Sequence, residues 1–344
     1  MSGRAEIEPT GCDNPAPFSL MPSPSNLRSH LLRTVILILA AAAGVILFLP
    51  GLNTAPESTR LQIHRGTPFS TIVRDLETNG TITVRWPLKL IGRLVPSLHN
   101  IKPGRYLIPP GLSNIGLLQY LHRHDQDEVR VTIPEGLDIS ATAAIISRHL
   151  DIDSTSFARE ATKRKLEGYL FPGTYNFPWA STPGEAQEFL LRQFHRFFSD
   201  SLRSVAEGKG LDENALLTLA SIVEAETPLD EEKPLVASVY LNRLRKNMPL
   251  QADPTIQYAI PGPRRRLYYK DLRKDSPYNT YLHRGLPPGP ICSPGAQSIL
   301  AVLNPAETSY LYFVATGKGG HNFSTTLSAH NRNIRRYRAN RDRR

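Results

Sequence analysis

The sequence has little cysteine and no pattern typical of a metal or phosphate site. Its two cysteines, Cys12 and Cys292, lie on opposite sides of a long apolar segment. We therefore expect no disulfide framework and no cysteine metal site. No His/Cys/Asp spacing of the metal-site type, no glycine-rich phosphate loop and no Ser-His-Asp pattern is present. These absences argue against metal, nucleotide and serine-hydrolase chemistry, and we expect no cofactor.

Acidic residues are outnumbered by basic ones. The chain of 344 residues has 41 Lys and Arg against 31 Asp and Glu, which gives a formal net charge of +10. A basic surface suits an anionic polymer or an anionic membrane. A nucleic-acid partner is not expected, because none of the common recognition motifs occurs and the apolar segment indicates a membrane. The length is that of about two domains.

The segment Thr34–Leu52 is uncharged and almost wholly apolar, and its length is close to the ~20 residues that span a bilayer. A buried core helix is the alternative, but the segment has no polar face. A cleavable signal peptide is a second alternative. The long irregular tail Met1–Arg33 and the position of Pro56 after the best small-residue site argue against cleavage. We predict an uncleaved anchor, whose orientation the flanking charges do not determine.

The stretch Leu216–Tyr258 contains the clearest candidate for catalysis. Glu224 lies at one edge of an apolar helical stripe, and a carboxyl at such a margin is partly desolvated. Desolvation raises a carboxyl pKa and favours a general acid. Glu226 lies about 200° further round a continuous helix, so the two carboxylates do not face one bond. Asp253 is a more distant second carboxylate, although Asp-Pro equally forms turns. The alternative for Glu224 is a solvated glutamate at a helix end.

A set of segments occurs in a characteristic order: IVEAET, VASVYLNRL, LQADPTIQY, SPYNTY, GLPPGPI, SPG and YLYFVA…GGHNFS. In this the chain resembles the MltG (YceG-like) family of endolytic murein transglycosylases, from about Arg60 to the C-terminal tail and most densely after Glu167. The resemblance implies a lyase that cleaves the MurNAc-GlcNAc bond within nascent peptidoglycan strands. Cleavage leaves 1,6-anhydro-MurNAc ends and limits strand elongation.

By the resemblance, Glu224 acts alone, first as acid and then as base. No water is consumed and no metal is required. Polar side chains that match the family's signature segments are expected to bind sugar hydroxyls and acetamides. These are Gln251, Asp253, Thr255, Asn279, Tyr281 and His321. For His321 a structural role is the alternative. Two other functions stay open, a hydrolytic muramidase on the same fold and a non-catalytic glycan-binding scaffold.

The predicted fold is α+β, with a single N-terminal transmembrane helix, a small LysM-like module and a mixed α/β catalytic domain. The predicted boundaries are a disordered cytoplasmic tail (1–33), a transmembrane helix (34–52), the LysM-like module (58–126), the catalytic domain (127–338) and a basic tail (339–344). The resemblance places the protein in the inner membrane as a single-pass protein, with its catalytic domain in the periplasm. It implies that the partners are peptidoglycan strands and penicillin-binding peptidoglycan synthases.

Overall fold

The computed structural model describes residues 24–123, 127–262 and 265–341. The chain separates into two compact units. The first comprises the described part of Met1–Leu61, together with Pro68–Ile101 and Leu107–Arg123. The second comprises Gln62–Thr67, Lys102–Tyr106 and the described part of His124–Arg344.

A long helix, α1 (Pro24–Phe48), comes first in the described chain. Proline suits the first turn of a helix, where its missing N–H would have no partner. Within α1, Ser29–Phe48 has a mean hydropathy of 2.5 and none of it is buried, so it is long and apolar enough to cross a membrane. The helix begins before the predicted span, and the last residues of the predicted disordered tail are therefore helical. Residues 1–23 of that tail lie outside the described residues.

The rest of the first unit is mainly helical. Its helices are α2 (Phe69–Thr78), α3 (Trp86–Leu94) and α4 (Asn114–Arg123). The strands β1 (Thr59–Ile63) and β2 (Gly104–Ile108) form a small sheet, and the division into units falls within both strands. The hydroxyl of Ser113, directly before α4, accepts a 3.1 Å hydrogen bond from the Gly116 amide. The LysM-like character of this unit stays a prediction.

The second unit begins with a two-stranded antiparallel sheet. Strand β3 (Glu128–Ile133) pairs with β4 (Gly173–Pro178), so that Val131 lies opposite Tyr175. Helices α5 (Ile139–His149), α6 (Ser154–Lys163) and α7 (Pro183–Phe197) accompany the sheet. The inward-facing Val131 packs with side chains of these helices in one buried cluster. Asp138 caps the start of α5, where its carboxylate accepts from the Ala141 amide at 2.7 Å.

Four helices surround the helix that carries the candidate acid. The central helix is α9 (Glu213–Glu226), and its neighbours are α8 (Asp200–Gly208), α10 (Lys233–Arg245), α11 (Asp253–Ala259) and α12 (Ala296–Leu303). Every residue from Leu216 to Val223 is buried. The prediction of a single apolar stripe is therefore wrong, because a helix packed on all sides has no polar face.

The end of the chain forms a hairpin and a helix. Strand β5 (Tyr312–Ala315) pairs antiparallel with β6 (His321–Ser324). A basic helix, α13 (Leu327–Arg341), follows. The Asp253-Pro254 pair, predicted as a turn, instead begins α11, where proline fits the first turn.

Candidate active site

A cavity of about 250 Å³ lies at the C-terminal end of α9. Its walls come from α9, α10, the start of α11, β5 and α13. The lining residues are Glu226, Tyr240, Arg243, Leu250, Gln251, Asp253, Tyr281, Phe313 and His330. Three of the predicted substrate-binding residues, Gln251, Asp253 and Tyr281, thus lie together in this cavity. The carboxyl group of Glu226 lines the same cavity.

Glu226 is the last residue of α9, and its carboxyl has the features of a general acid. Its Oε1 accepts a 2.5 Å hydrogen bond from the hydroxyl of Tyr240. Burial raises the pKa of Glu226 to about 7; the Tyr240 hydrogen bond and Arg243 oppose this shift, and the charge of Asp253 adds to it. Within the described part of the chain Oε2 makes no hydrogen bond. A proton on Oε2 is therefore available to a ligand in the cavity.

Asp253 and Gln251 present polar groups at the start of α11. The hydroxyl of Tyr281 donates a 2.6 Å hydrogen bond to Oδ1 of Asp253. Gln251 has a φ of 51°, in the left-handed region that a residue other than glycine seldom adopts. The backbone amide of Gln251 donates to the carbonyl oxygen of Thr280 at 3.0 Å. This hydrogen bond stabilises the left-handed conformation. Both side chains are exposed, so they are accessible to a substrate.

Arg243 fastens the loop before α11 to the hairpin. Its Nε donates to the Leu311 carbonyl at 2.7 Å, and its Nη1 donates to the carbonyls of Leu250 at 2.7 Å and Pro249 at 3.2 Å. The guanidinium lies over the ring of Tyr312, 5.3 Å from its centroid. Burial lowers the pKa of Arg243. The side chain is a buried cation that supports the wall of the cavity.

Glu224, the predicted catalytic residue, is not among the residues that line the cavity. Its Oε2 accepts hydrogen bonds from the Ser298 hydroxyl at 2.6 Å and the Gly295 amide at 3.0 Å. Lys233 Nζ lies 3.4 Å from the same oxygen and 3.8 Å from a carboxylate oxygen of Glu135. The side chain is 8% exposed. This arrangement links α9 to α10 and α12. Contact of Glu224 with the substrate stays a prediction.

Two further predicted substrate residues, Thr255 and Asn279, are buried. The Thr255 hydroxyl lies 2.7 Å from the carbonyl oxygen of Ala252 and 2.9 Å from the hydroxyl of Thr280. Asn279 donates to the Lys274 carbonyl at 2.7 Å, and its Oδ1 accepts from the Tyr281 amide at 2.9 Å. Neither residue is exposed. These bonds support the loop that carries Tyr281, and substrate contact by the two residues stays a prediction.

His321 lies outside the cavity lining and is bound to Glu232. Its Nδ1 is 2.7 Å from Oε2 of Glu232, and its backbone amide donates to Oε1 at 2.7 Å. Burial opposes ionisation of Glu232, but the hydrogen bonds from His321 and one from Thr227 outweigh it and lower the pKa of that carboxyl. The pair joins β6 to the start of α10. This favours the structural alternative for His321.

A model of the YceG-like family matches residues 61–336. The chain belongs to the YceG-like family. The resemblance inferred from the ordered segments is thereby confirmed. A protein of Bacillus subtilis (strain 168) named endolytic murein transglycosylase is 41% identical over 178 residues, which cover 51% of this chain and 49% of that protein. A protein of the same name from Streptococcus pneumoniae serotype 2 (strain D39) is 29% identical over 278 residues, or 68% of this chain and 50% of that protein.

The chain spans about half the length of the curated relatives it matches. A crystal structure of a yceG-like protein from Listeria monocytogenes covers 81% of this chain and 99% of that one, with 28% identity and a TM-score of 0.49. The activity, substrate and partners of this YceG-like chain are therefore matters for proposal.

Sequence reasoning did not single out Tyr240 and Arg243, and it set Glu226 aside as a partner of Glu224, although all three line the cavity of this YceG-like chain. Tyr240 and Arg243 lie three residues apart in VASVYLNRL, on one face of α10. An arginine directly after the apolar positions of VASVYL was the available signal, because a buried guanidinium needs several acceptors. Among the described residues, no group of three or more His, Cys, Asp or Glu side chains is placed to hold a metal ion.

Proposed function

We propose that this YceG-like chain is a lyase, an endolytic murein transglycosylase that cleaves the MurNAc-GlcNAc bond within nascent peptidoglycan strands. The observation that carries the proposal is the cavity in which Glu226, with a pKa raised by burial to about 7, meets Asp253, Gln251 and Tyr281. The names of the relatives support it. In this proposal Glu226 takes the role that the sequence assigned to Glu224, because Glu226 alone of the two lines the cavity.

The chemistry needs one carboxyl group in two protonation states. Glu226 donates the proton on Oε2 to the glycosidic oxygen, and the bond from C1 of MurNAc to that oxygen breaks. The resulting carboxylate then takes the proton of the MurNAc C6 hydroxyl, whose oxygen forms a bond to C1. The products are a GlcNAc 4-hydroxyl and a 1,6-anhydro-MurNAc end, and Glu226 regains its proton. No water is consumed.

The surroundings of Glu226 suit both halves of this cycle. Burial favours the neutral acid that begins the reaction. The hydroxyl of Tyr240 binds Oε1 throughout, and its hydrogen bond strengthens when the carboxylate forms. The positive charge of Arg243 also favours that carboxylate. Gln251, Asp253 and Tyr281 are the groups proposed to bind sugar hydroxyls and acetamides, since their polar atoms line the same cavity.

A hydrolytic muramidase is the second candidate, and the position of Asp253 favours it. Asp253 lies in the same cavity as Glu226, and a pair of carboxylates is the usual arrangement in glycoside hydrolases. In this reaction Glu226 is the acid, and Asp253 activates a water molecule or attacks C1. The product then has a reducing end in place of an anhydro end.

We also propose that α1 anchors the protein in the inner membrane, with the tail in the cytoplasm and the catalytic part in the periplasm. The length and hydropathy of Ser29–Phe48 support this arrangement. An anchored enzyme beside newly made strands is suited to partnership with penicillin-binding peptidoglycan synthases and to limiting strand length. Protease added outside spheroplasts should degrade the catalytic part, and complete protection would contradict this orientation.

Mass spectrometry of the products separates the candidate reactions. The full chain in detergent is incubated with uncrosslinked glycan strands. Internal fragments with 1,6-anhydro-MurNAc ends are expected. Reducing ends would establish hydrolysis and implicate Asp253. Absence of cleavage at all conditions tested would leave the non-catalytic glycan-binding scaffold.

A further inference from the structure

A second cavity, of about 490 Å³, lies in the same unit and shares no lining residue with the cavity at Glu226. Its volume is within the range of about 300–1,000 Å³ typical of small-molecule sites. The lining includes Asp138 and Ile139 at the start of α5, Glu167 before β4, and Tyr258 at the end of α11. The proposed reaction uses none of these residues.

Glu167 is a largely buried carboxyl with only one of its oxygens bound. Oε2 accepts hydrogen bonds from the Tyr258 hydroxyl at 3.2 Å and the Ile139 amide at 3.4 Å. Oε1 is enclosed and accepts no hydrogen bond of good geometry in the described part of the chain, although the Gly168 amide is near enough to lower the pKa of the carboxyl. Burial raises the pKa of Glu167 to about 7; the Ile139 amide opposes this shift and the charge of Asp138 adds to it. A buried polar atom without a partner costs free energy, so a ligand that reaches it is favoured.

The terminal torsion of a glutamate is broad, so a small rotation of the carboxyl exchanges which oxygen faces the cavity. In its neutral form the group offers one donor and one acceptor. A neutral carboxyl group can therefore meet either the carbonyl or the N–H of an acetamide. No movement of the backbone is needed for this exchange.

The chemistry of the lining selects a neutral polar ligand. No Lys or Arg side chain is among the described lining residues, which disfavours an anion. Oδ1 of Asp138 accepts from the Ala141 amide at 2.7 Å, so this side chain already serves as the cap of α5. Ile139 and Ile291 supply apolar surface next to the polar groups of Gln257 and Tyr258. An acetamide, which has a methyl group beside an amide, matches this mixture.

One helix connects the two cavities. Asp253, the first residue of α11, lines the cavity at Glu226, and Tyr258, near its end, lines the second. These positions are on the order of 7 Å apart along a helix axis, at about 1.5 Å per residue. They are also about 140° apart around the axis, at 3.6 residues per turn. A polymer must therefore pass round α11 to reach both cavities.

We propose that the cavity around Glu167 and Tyr258 is an accessory subsite that binds an N-acetylated sugar of the same strand that Glu226 cleaves. The inference rests on the proposed function. Such a subsite makes the enzyme favour long strands, because only a long strand fills both cavities. Binding at a distance from the cleaved bond is the requirement for cutting within a strand.

Strand-length dependence of cleavage tests the subsite. Glu167→Leu removes the polar oxygens at similar volume, and Glu167→Gln restores hydrogen bonding. We expect Glu167→Leu to lower kcat/KM on long peptide-free strands by roughly tenfold, from the loss of one or two buried hydrogen bonds. Cleavage of a short oligosaccharide that fills only the first cavity should be unchanged. Glu167→Gln should recover most of the loss, and Tyr258→Phe should resemble Glu167→Leu. Glu207→Leu, at an exposed position of α8, is the matched control.

Equal loss on long and short substrates would overturn the proposal, because it would indicate a merely structural role; no loss on either would do the same.

Binding separates this inference from the proposed function. The Glu226→Gln chain is titrated with a long and a short β-1,4-linked N-acetylglucosamine oligosaccharide, with and without Glu167→Leu. One combined result would separate the two proposals: the wild type cleaves nothing, and Glu167→Leu weakens binding of the long oligosaccharide only. The proposed function would then be wrong, and the subsite would be supported. Binding that is equal, or absent, in both chains would overturn the subsite.

Discussion

The hydroxyl of Tyr240, on α10, donates a 2.5 Å hydrogen bond to Oε1 of Glu226, the last residue of α9. The bond leaves Oε2 as the oxygen that carries a proton into the cavity. It also opposes the effect of burial, since it lowers the pKa of Glu226 while desolvation raises it. The contact therefore sets both where the proton lies and at what pH it is lost.

Replacement of Tyr240 by Phe should move the pH profile of the enzyme. In the variant the carboxylate of Glu226 loses a donor, so its pKa should rise further, by about one unit for a hydrogen bond of ordinary strength. Activity that needs the neutral acid is lost as pH rises through this pKa. The alkaline limb of kcat should consequently shift to higher pH, and kcat at its maximum should fall because the carboxylate is less stable.

The profile of kcat against pH on glycan strands measures this shift. Tyr310→Phe is the control, because the hydroxyl of Tyr310 makes no hydrogen bond within the described residues and lies outside the cavity lining. An alkaline limb that stays in place in Tyr240→Phe would contradict the assignment of Glu226 as the acid.

Stability should depend on pH through the same carboxyl. The folded-state pKa of Glu226 is about 7, against 4.5 for an ordinary glutamate. Its contribution is fully present below pH 4.5 and is lost as pH rises through 7, because the folded state holds the proton more tightly than the unfolded chain. As pH rises from 5 to 8, the free energy of unfolding of the wild type should therefore fall by roughly 3 kcal/mol relative to that of Glu226→Gln.

Urea unfolding of the two chains at both pH values measures this difference. Glu207→Gln, at an exposed position, should follow the wild type at both. A gap between Glu226→Gln and the wild type that does not change with pH would show that the carboxyl of Glu226 is ionised in the folded state.

Arg243 should be required for stability as well as for activity. Its guanidinium holds three backbone carbonyls, from Leu311, Leu250 and Pro249. In Arg243→Met these buried acceptors lose their donors, so the free energy of unfolding should fall by about 3 kcal/mol. Arg245→Met, two residues further and exposed, should change it by less than about 0.5 kcal/mol. Equal effects of the two substitutions on urea unfolding would contradict the role given to Arg243.

The apolar periodicity of the sequence was sufficient to predict the helix that carries the candidate acid but not which carboxylate faces the cavity. The stripe Leu216–Val223 correctly indicated a helix. Because α9 is buried on every side, however, the stripe had no real edge, and both Glu224 and Glu226 satisfied the criterion of a carboxyl beside apolar residues. Only the positions of α10 and α12 distinguish them. Ser298 and Lys233 bind Glu224, whereas Tyr240 binds Glu226.

The predicted substrate residues divide for a similar physical reason. Gln251, Asp253 and Tyr281 do line the cavity, whereas Thr255 and Asn279 are buried among backbone carbonyls. A hydroxyl or amide that fastens a loop and one that binds a sugar have the same donors and acceptors. A sequence therefore identifies the polar segment but not the partner of each side chain, which depends on contacts between segments distant in the chain.

The comparison of Glu226→Gln with Glu224→Gln tests the central claim most directly. Each substitution keeps the shape of a side chain on α9 and removes one acid. Glu226→Gln should abolish release of fragments from glycan strands, by about 10³-fold or more, with the fold retained. Glu224→Gln should lower the free energy of unfolding by about 1–3 kcal/mol, because Lys233 loses a buried charge partner, and should retain cleavage at a temperature where the chain is folded. Loss of cleavage in a folded Glu224→Gln chain, together with retained cleavage in Glu226→Gln, would contradict the account.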